Sequence, residues 1–309
     1  MQRGVAVAVP VLVATFVLAP ACQIVGGYRS FEPGDGAAPH PCDVLPSSKL
    51  DDKELVTLVL SKVPDGTCYW MDGTEVTVQQ YARFLAEHSQ PLAWQTTVSP
   101  DCGWKTAPSD PVGQTMDACT VSATNSESDP FNAAKPIRCV DWCDARAFCN
   151  WAGKDLCGGN PNSGGILEPH DVIDQWGYAC SANEQPWPYQ GLTAVSGACN
   201  IGLSETSGQC LSLLQQPQCA PTYVGSFPQC TSPSGAVDMI GNVSEWVLSC
   251  GYSDGGPNTL CQVRGGSFAD SIDTNCQSIP LYARSTRGRG LGLRCCEPLT
   301  TAEQHLVTR

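Results

Sequence analysis

A short stretch near the end of the chain carries the side chains that could do chemistry. Residues 263–285 contain a Gly-Gly-Ser sequence ending at Ser267, an aspartate (Asp270), a cysteine (Cys276) and an arginine (Arg284). A reduced cysteine can act as a nucleophile or bind a soft metal ion, whereas an oxidised one only cross-links the chain. The interpretation of this protein therefore depends on whether Cys276 is a reactive thiol or half of a disulfide.

The cysteine content indicates an oxidising compartment. The chain has 19 cysteines among 309 residues, which is typical of exported proteins that rely on disulfides. A zinc site is not favoured, because the 4 histidines are scattered and no Cys-X-X-Cys spacing occurs. If one cysteine serves as a lipid anchor, an even number remains for disulfides, although the sequence does not give their connectivity.

Residues 1–21 are predicted to be a signal peptide. A basic residue, Arg3, precedes an apolar run that ends at Leu18 and is too short and interrupted for a membrane span. The following Ala-Pro-Ala-Cys resembles a bacterial lipoprotein box, in which Cys22 is lipidated; an ordinary signal peptide with a nearby cysteine is the alternative. Residues 22–54, rich in Gly, Pro and Ser, are predicted to form the anchor and a flexible tether. We therefore expect an exported, membrane-anchored lipoprotein of the bacterial cell envelope.

The charge balance argues against one class of partner. The net charge is −13, and no basic run occurs that would attract a polyanion. Nucleic acid is therefore not an expected partner, and a membrane would be reached only through the lipid anchor. Glycine and proline are abundant, at 30 and 24 residues, which predicts many loops and little regular structure.

Two helices can be predicted from their periodicity and their caps. Thr77 is placed to cap a helix over residues 78–88, and Asp141 to cap one over residues 142–152, with Gly153 just past its end. A weaker helix is predicted over residues 171–180. The remainder reads as short strands and long connections joined by disulfides. We predict a single α+β domain over residues 55–298 with low regular secondary structure, followed by a tail at 299–309.

Five segments of the sequence stand in a recognisable order: MDGTEVTVQQYARFL (71–85), CVDWCDARAFCNWAG (139–153), QWGYAC (175–180) followed by CNIG from Cys199, GAVDMIGNVSEWV (235–247), and RGGSF (264–268) with GLRC (292–295). Together they resemble the formylglycine-generating enzyme (sulfatase-modifying factor) family. The resemblance implies one α+β domain related to C-type lectins. Because members of this family differ in activity, the resemblance implies the fold more firmly than the function.

The resemblance implies where a catalytic centre would lie. The founding enzymes oxidise a sulfatase cysteine to formylglycine and hold copper with two thiolates. Here Asp270 stands at the first thiolate position and Cys276 at the second, between the matching Ser267 and Arg284. A carboxylate does not replace a thiolate for Cu(I), so Asp270 and Cys276 form a degenerate site and copper is not expected. Ser267, Arg284 and Cys276, the last only if it is a free thiol, are the candidate catalytic residues.

The resemblance also implies two disulfide pairings. Cys149 should pair with Cys295. Cys180 matches a half-cystine whose partner position is occupied here by Leu281, so Cys180 is expected to pair with Cys276 or Cys296. A single catalytic thiol would also leave an odd number of cysteines, which favours a disulfide at Cys276.

In relatives, the segment 238–245 surrounds a structural calcium ion. By resemblance, Asp238 and Glu245 would supply carboxylates, and Gly241 and Val243 backbone carbonyls, which are hard oxygen ligands that suit Ca²⁺. The alternative is a capped turn beside a buried tryptophan. A second calcium position begins at Asn200 and Ile201, but no matching acidic residue follows it.

Three functional hypotheses follow. The first is a non-catalytic domain that binds a peptide, protein or small molecule in the groove that relatives use for substrate. The second is an active oxidase that acts on protein cysteine, and the third is a structural envelope component. A local group of arginines is either an anion or carboxylate site or a set of solvated and paired side chains; it comprises Arg284, Arg287, Arg289 and Arg294.

Overall fold

The computed structural model describes residues 40–53, 55–88, 91–109, 119, 133–159, 174–182, 185–189, 193–195, 197–202, 220–251, 256–271 and 273–308. The predicted signal peptide, Cys22 and most of the predicted tether lie outside these residues. None of the helices in the described ranges is long and apolar enough to cross a bilayer.

The first sheet gathers strands from both ends of the chain. Among the described residues it has five strands in the order β1-β2-β3-β9-β4, and all of its pairings are antiparallel. The strands are β1 (Ser48–Asp51), β2 (Val56–Lys62), β3 (Cys68–Asp72), β4 (Asp155–Leu156) and β9 (Cys295–Pro298). Every residue of β3 is buried, as expected for a central strand that is covered on both faces.

The second sheet carries the segments that contain the candidate site residues. Its described strands run in the order β7-β6-β5-β8, with β5 and β8 parallel and the other pairs antiparallel. They are β5 (Ser244–Cys250), β6 (Leu260–Arg264), β7 (Leu281–Ala283) and β8 (Leu291–Leu293). The predicted calcium segment leads into β5, and the Gly-Gly-Ser sequence follows β6.

The two strongest helix predictions coincide with helices in the structure. Helix α1 spans Val78–His88 and α3 spans Trp142–Ala152, with a short α2 at Pro91–Thr97 between them. The Asp141 side chain caps α3 by accepting from the Asp144 N–H, and the Asp144 side chain in turn accepts from the Asp141 N–H. Gly153 then ends α3 at φ 85°, a left-handed conformation that glycine adopts without strain.

The third helix, α4, covers Gln175–Ser181 and is shorter than predicted. Asp174 caps it by accepting from the Gly177 N–H. Residues 171–173 of the predicted helix lie outside the described residues.

The ends of the domain differ from the prediction. Residues 40–53, assigned by composition to the tether, are folded: a 3₁₀ turn at Pro41–Val44 is tied by the Cys42–Cys68 disulfide, and β1 pairs with β2. The predicted tail forms α5 (Thr301–Val307), whose Glu303 accepts hydrogen bonds from Trp70 Nε1 at 3.0 Å and Lys49 Nζ at 3.4 Å. The prediction from composition was wrong here because a disulfide and long-range contacts, rather than local propensity, order these segments.

The tryptophans are mostly core residues. Those at 70, 142, 176 and 246 are at most 1 % exposed, whereas Trp104 is 36 % exposed. The packing of the core accounts for the four buried rings.

Disulfides connect the elements across the whole described domain. The described pairs are Cys42–Cys68, Cys102–Cys143, Cys119–Cys139, Cys149–Cys295, Cys157–Cys296, Cys180–Cys276, Cys199–Cys230 and Cys250–Cys261. The first implied pair, Cys149 with Cys295, joins α3 to β9. The remaining cysteines, Cys22, Cys210 and Cys219, lie outside the described residues.

Candidate functional site

The Gly-Gly-Ser turn after β6 positions Ser267 and Asp270 together. Gly265 and Gly266 have φ of 83° and 66°, which lie in the left-handed region, and a Cβ on Gly265 would approach a backbone oxygen to 2.6 Å. The turn therefore requires glycine. Beyond it, Asp270 Oδ2 accepts from the Ser267 N–H at 2.7 Å and from Ser267 Oγ at 2.8 Å. The Asp270 carboxylate thus caps its own turn.

Cys276 is bonded to Cys180 and is not a free thiol in this structure. It is 2 % exposed, its N–H donates to the Pro186 carbonyl at 2.8 Å, and its carbonyl accepts from Arg264 Nη2 at 2.7 Å. Arg264 is itself buried and paired with Asp174 at 2.9 Å. Cys276 is therefore held from several sides, as a cross-linking residue is.

Arg284 packs on helix α3. Its guanidinium carbon lies 4.6 Å from the centre of the Trp142 ring, and Nη1 donates to the Asp101 carbonyl at 2.9 Å. Burial lowers the pKa of Arg284, while the charge of Asp101 raises it. The three candidate catalytic residues thus have different surroundings. Ser267 shares a turn with Asp270, Cys276 is part of a disulfide and Arg284 stacks on Trp142.

The residues present do not fit a two-thiolate copper centre. Cu(I) needs soft thiolate ligands, but the Cys276 sulfur is bonded to Cys180 in a disulfide. The Asp270 carboxylate is a hard ligand, and its Oδ2 already accepts two hydrogen bonds from Ser267.

The predicted calcium segment lies beside a buried ion pair. Glu245 accepts from Arg294 Nε at 3.1 Å on each oxygen, from Arg294 Nη2 at 2.9 Å, and from Trp176 Nε1 at 2.7 Å. Burial would lower the pKa of Arg294, but the charges of Glu245 and its acidic neighbours raise it above its ordinary value. Both oxygens of one predicted calcium ligand are thus already engaged.

A further acidic residue beside the predicted calcium segment, Glu75, was not identified from the sequence. It is fully buried, with Oε2 accepting from Asn242 Nδ2 at 2.7 Å and Oε1 from the Val243 N–H at 3.0 Å. Burial raises the pKa of Glu75 well above its ordinary value, and the charges of Asp238 and Glu245 raise it further. Glu75 lies inside the first family-like segment, but no local signal distinguishes it from a solvated glutamate.

Asp238, another predicted calcium ligand, keeps one carboxylate oxygen without a hydrogen bond from the described residues. It is 2 % exposed, Oδ2 accepts from the Gly225 N–H, and no described group bonds to Oδ1. Burial raises the pKa of Asp238 to about 6. Gly241 follows at φ 80°, where a Cβ would lie 2.3 Å from the Asn200 carbonyl oxygen, so this close approach requires glycine.

At the second predicted calcium position, the side-chain amide of Asn200 contacts oxygens of three neighbouring residues. Asn200 Nδ2 donates to Asn242 Oδ1 at 3.0 Å, with the Ala220 carbonyl at 3.2 Å and Thr222 Oγ1 at 3.4 Å. Ile201 contributes its N–H to the Cys199 carbonyl. Across the described residues, no three His, Cys, Asp or Glu side chains converge in a way that could hold a metal ion.

The arginine group predicted near the C-terminus separates into two kinds. Arg284 and Arg294 are buried at 4 % and 1 % exposure. Arg287 and Arg289 are exposed and form no salt bridge with another described residue, and Arg289 lies 5.8 Å from the ring of Phe268. Arg289 therefore lies on the surface near the Ser267 turn, since it precedes Gly290, where a Cβ would meet Ser267 Oγ at 2.7 Å. Arg287, two residues earlier, is the second exposed cation of this segment.

Solved structures of other proteins resemble this chain at low sequence identity. Among them are CarF (19 % identity, 75 % of this chain and 87 % of that chain, TM-score 0.47), Treponema denticola variable protein 1 (15 %, 82 % and 100 %, 0.47) and PvdO from Pseudomonas aeruginosa (18 %, 85 % and 100 %, 0.45). The comparison with curated protein sequences gave no match.

A family description covers most of the chain. The sulfatase-modifying factor enzyme 1-like domain matches residues 60–298. This range includes both sheets apart from β1 and the start of β2, together with every residue of the candidate site. The chain therefore belongs to the sulfatase-modifying factor family.

Proposed function

We propose that this protein is an exported binding domain of the sulfatase-modifying factor family and does not oxidise cysteine to formylglycine. One observation carries the proposal: the thiol that the oxidase reaction would need at Cys276 is joined to Cys180 and buried. A reactive thiol must be both reduced and accessible. Asp270, at the other copper-ligand position, is committed to Ser267.

The surface beside the Ser267 turn is the part best suited to a ligand. Arg287 and Arg289 are exposed cations on a chain whose net charge is −13, and arginine pairs well with carboxylates. The ligand of this proposal is a peptide, protein or small molecule that carries a carboxylate.

Export and anchoring belong to the same proposal. The disulfides that join the described elements support folding in an oxidising compartment, and the sequence places a lipoprotein-like box before Cys22. Labelling of the expressed protein with a radioactive fatty acid should depend on this residue. Loss of label in Cys22→Ala is expected, whereas a labelled variant or an unlabelled wild type would overturn the anchor.

The test of function has two arms. The first incubates the purified protein with copper and a cysteine-containing sulfatase peptide, and mass spectrometry follows conversion to the aldehyde. No conversion is expected; conversion that disappears in Cys276→Ala would establish the oxidase instead.

The second arm measures binding of fluorescent peptides that end in either a free carboxylate or an amide. Carboxylate peptides should bind more tightly, and the double change Arg287→Ala with Arg289→Ala should remove that preference, whereas Arg83→Ala serves as the control. Equal binding of both peptide forms, or no binding, would favour a structural envelope component.

A further inference from the structure

We propose that the disulfide between Cys119 and Cys139 is a redox-sensitive switch that positions the exposed arginines Arg287 and Arg289. The inference rests on the proposed function, because it names a way of regulating the same carboxylate-binding surface. Three observations carry it: the contact of Cys139 with the arginine segment (residues 287–289), the backbone conformation of the two cysteines, and the exposure of Cys119.

Cys139 holds the arginine segment at its middle residue. The Cys139 N–H donates to the carbonyl of Gly288, the residue between the two arginines, at 3.1 Å. The same carbonyl accepts from the Leu291 N–H at 3.0 Å, but that bond lies within the turn itself. Among the backbone hydrogen bonds of the described residues, only the Cys139 bond therefore connects Gly288 to a distant part of the chain.

The flanks of the arginine segment are held separately. On one side the Trp142 N–H donates to the Arg284 carbonyl at 3.1 Å, and on the other the Ser244 N–H donates to the Gly290 carbonyl at 2.7 Å. A displacement of Cys139 would therefore move the arginine segment while its flanks stay in place. The result is a change in the direction of two cationic side chains rather than unfolding of the domain.

Both cysteines have a backbone conformation that residues other than glycine rarely adopt. The φ angle is 47° at Cys119 and 62° at Cys139, in the left-handed region. Such a residue keeps this conformation only where its surroundings fix it, and the disulfide and the bond to Gly288 are two such contacts at Cys139. Once the disulfide opens, Cys139 is free to relax, which turns its N–H away from the Gly288 carbonyl.

Cys119 gives a reductant access to this bond. It is partly exposed, whereas Cys139 is 2 % exposed. Among the described disulfides, the other one with a partly exposed half is Cys250–Cys261. Those two cysteines lie directly opposite each other on β5 and β6, and neither has a left-handed backbone. Access and a strained backbone therefore coincide at the Cys119–Cys139 bond.

The switch operates by thiol–disulfide exchange, with a protein dithiol as the reductant. One thiolate of the dithiol attacks Cys119 Sγ to form a mixed disulfide, and the Cys139 sulfur leaves as a thiolate. The second thiolate of the dithiol then attacks its partner sulfur in the mixed disulfide, which releases Cys119. The dithiol gives up two electrons and becomes a disulfide, and its two protons end on the thiols of Cys119 and Cys139.

The first experiment measures the order in which the disulfides open. Purified protein is treated with increasing concentrations of dithiothreitol, a small dithiol, and the freed thiols are alkylated and located by mass spectrometry. We expect Cys119 and Cys139 to be alkylated at the lowest concentration, because exchange requires access to a sulfur. Opening of any other described disulfide before this one would overturn the proposal.

The second experiment measures hydrogen exchange of the amide at position 139 together with the affinity for carboxylate peptides. Cys119→Ala should speed the exchange and weaken binding about three- to tenfold, the size expected for the loss of one positioning hydrogen bond. Adding Cys139→Gly should restore both, because glycine keeps the left-handed conformation without a disulfide. The matched control, Cys250→Ala with Cys261→Ala, should change neither.

The two readouts separate failure of the switch from failure of the binding function. Unchanged exchange at position 139 in Cys119→Ala would overturn the switch whatever the protein binds. Faster exchange with wild-type affinity would also overturn it, since the arginines would not respond to the disulfide. If wild type shows no preference for carboxylate peptides, the proposed function fails, and exchange at position 139 still decides whether the disulfide holds the arginine segment.

Discussion

Replacing Cys276 tests whether this cysteine acts as a cross-link or as a reactive thiol. The Cys180–Cys276 bond spans 96 residues along the sequence, but the Cys157–Cys296 bond already joins the flanking segments. The shortest loop that the Cys180–Cys276 bond closes in the unfolded chain therefore holds about 45 residues. The chain-entropy relation gives about 4 kcal/mol for a loop of this size, which corresponds to a Tm decrease of about 8–16 °C.

The assay is thermal unfolding without reductant, followed by circular dichroism, for Cys180→Ala, Cys276→Ala and the double variant. If the two cysteines act only through their bond, breaking it from either side costs the same, and the second substitution adds little. We therefore expect all three variants to unfold at similar temperatures, well below wild type.

Two results would refute this reasoning. A Cys276→Ala variant with the wild-type Tm would show that the bond contributes nothing. Single-variant effects that add fully in the double variant would show that each side chain acts alone. Thiol titration of the unreduced, denatured wild type provides the control, since neither cysteine should react.

The remaining predictions concern a buried acid, the C-terminal helix and copper. Burial raises the pKa of Asp141 to about 7, while the charge of Lys105 opposes this rise. Between about pH 4 and pH 7 the folded protein therefore keeps a proton on Asp141 that the unfolded chain has lost. The free energy of unfolding should fall as pH rises through this range. Urea denaturation across this range should show a shallower fall for Asp141→Asn, and an unchanged slope would contradict the assignment. Glu303→Ala should lower the free energy of unfolding by about 1–3 kcal/mol, because it removes a helix cap and an acceptor for Trp70. In chemical denaturation, Glu303→Gln should recover part of this loss. An unchanged free energy of unfolding in Glu303→Ala would show that α5 does not pack against Trp70. Purified protein should hold no stoichiometric Cu(I) against a competing chelator, and one equivalent that disappears in Cys276→Ala would contradict the disulfide.

Local signals predicted the helices well. Thr77 and Gln80 form a reciprocal cap at the start of α1, and Asp141 does the same for α3 with Asp144. These contacts span three residues, so both partners are visible in a short window of sequence. The predicted boundaries of the domain were wrong because contacts between distant residues order its ends. The contact of Glu303 with Lys49, for example, joins residues 254 positions apart.

The candidate site shows the same division. The Gly-Gly turn and the placement of Asp270 after it depend on neighbouring residues, so the sequence alone indicates a turn with an aspartate where a thiolate would be needed. The partner of Cys276 was left between two possibilities, because pairing depends on which distant cysteine the folded chain brings within reach. The structure brings Cys180 on α4 to Cys276 and directs Cys296 to Cys157.

The sequence by itself determined the family, the α+β class, the main helices with their caps and the presence of Asp270 where the resemblance implies a thiolate, because each depends on residue identity and short spacing. Only the tertiary structure decided that Cys276 is cross-linked, that Glu75 joins the loop before β5, and that Arg294 sits against Glu245. These contacts join residues far apart in the chain, and burial gives them their strength: an unpaired charge is costly inside a protein, so the side chains that meet there must satisfy one another.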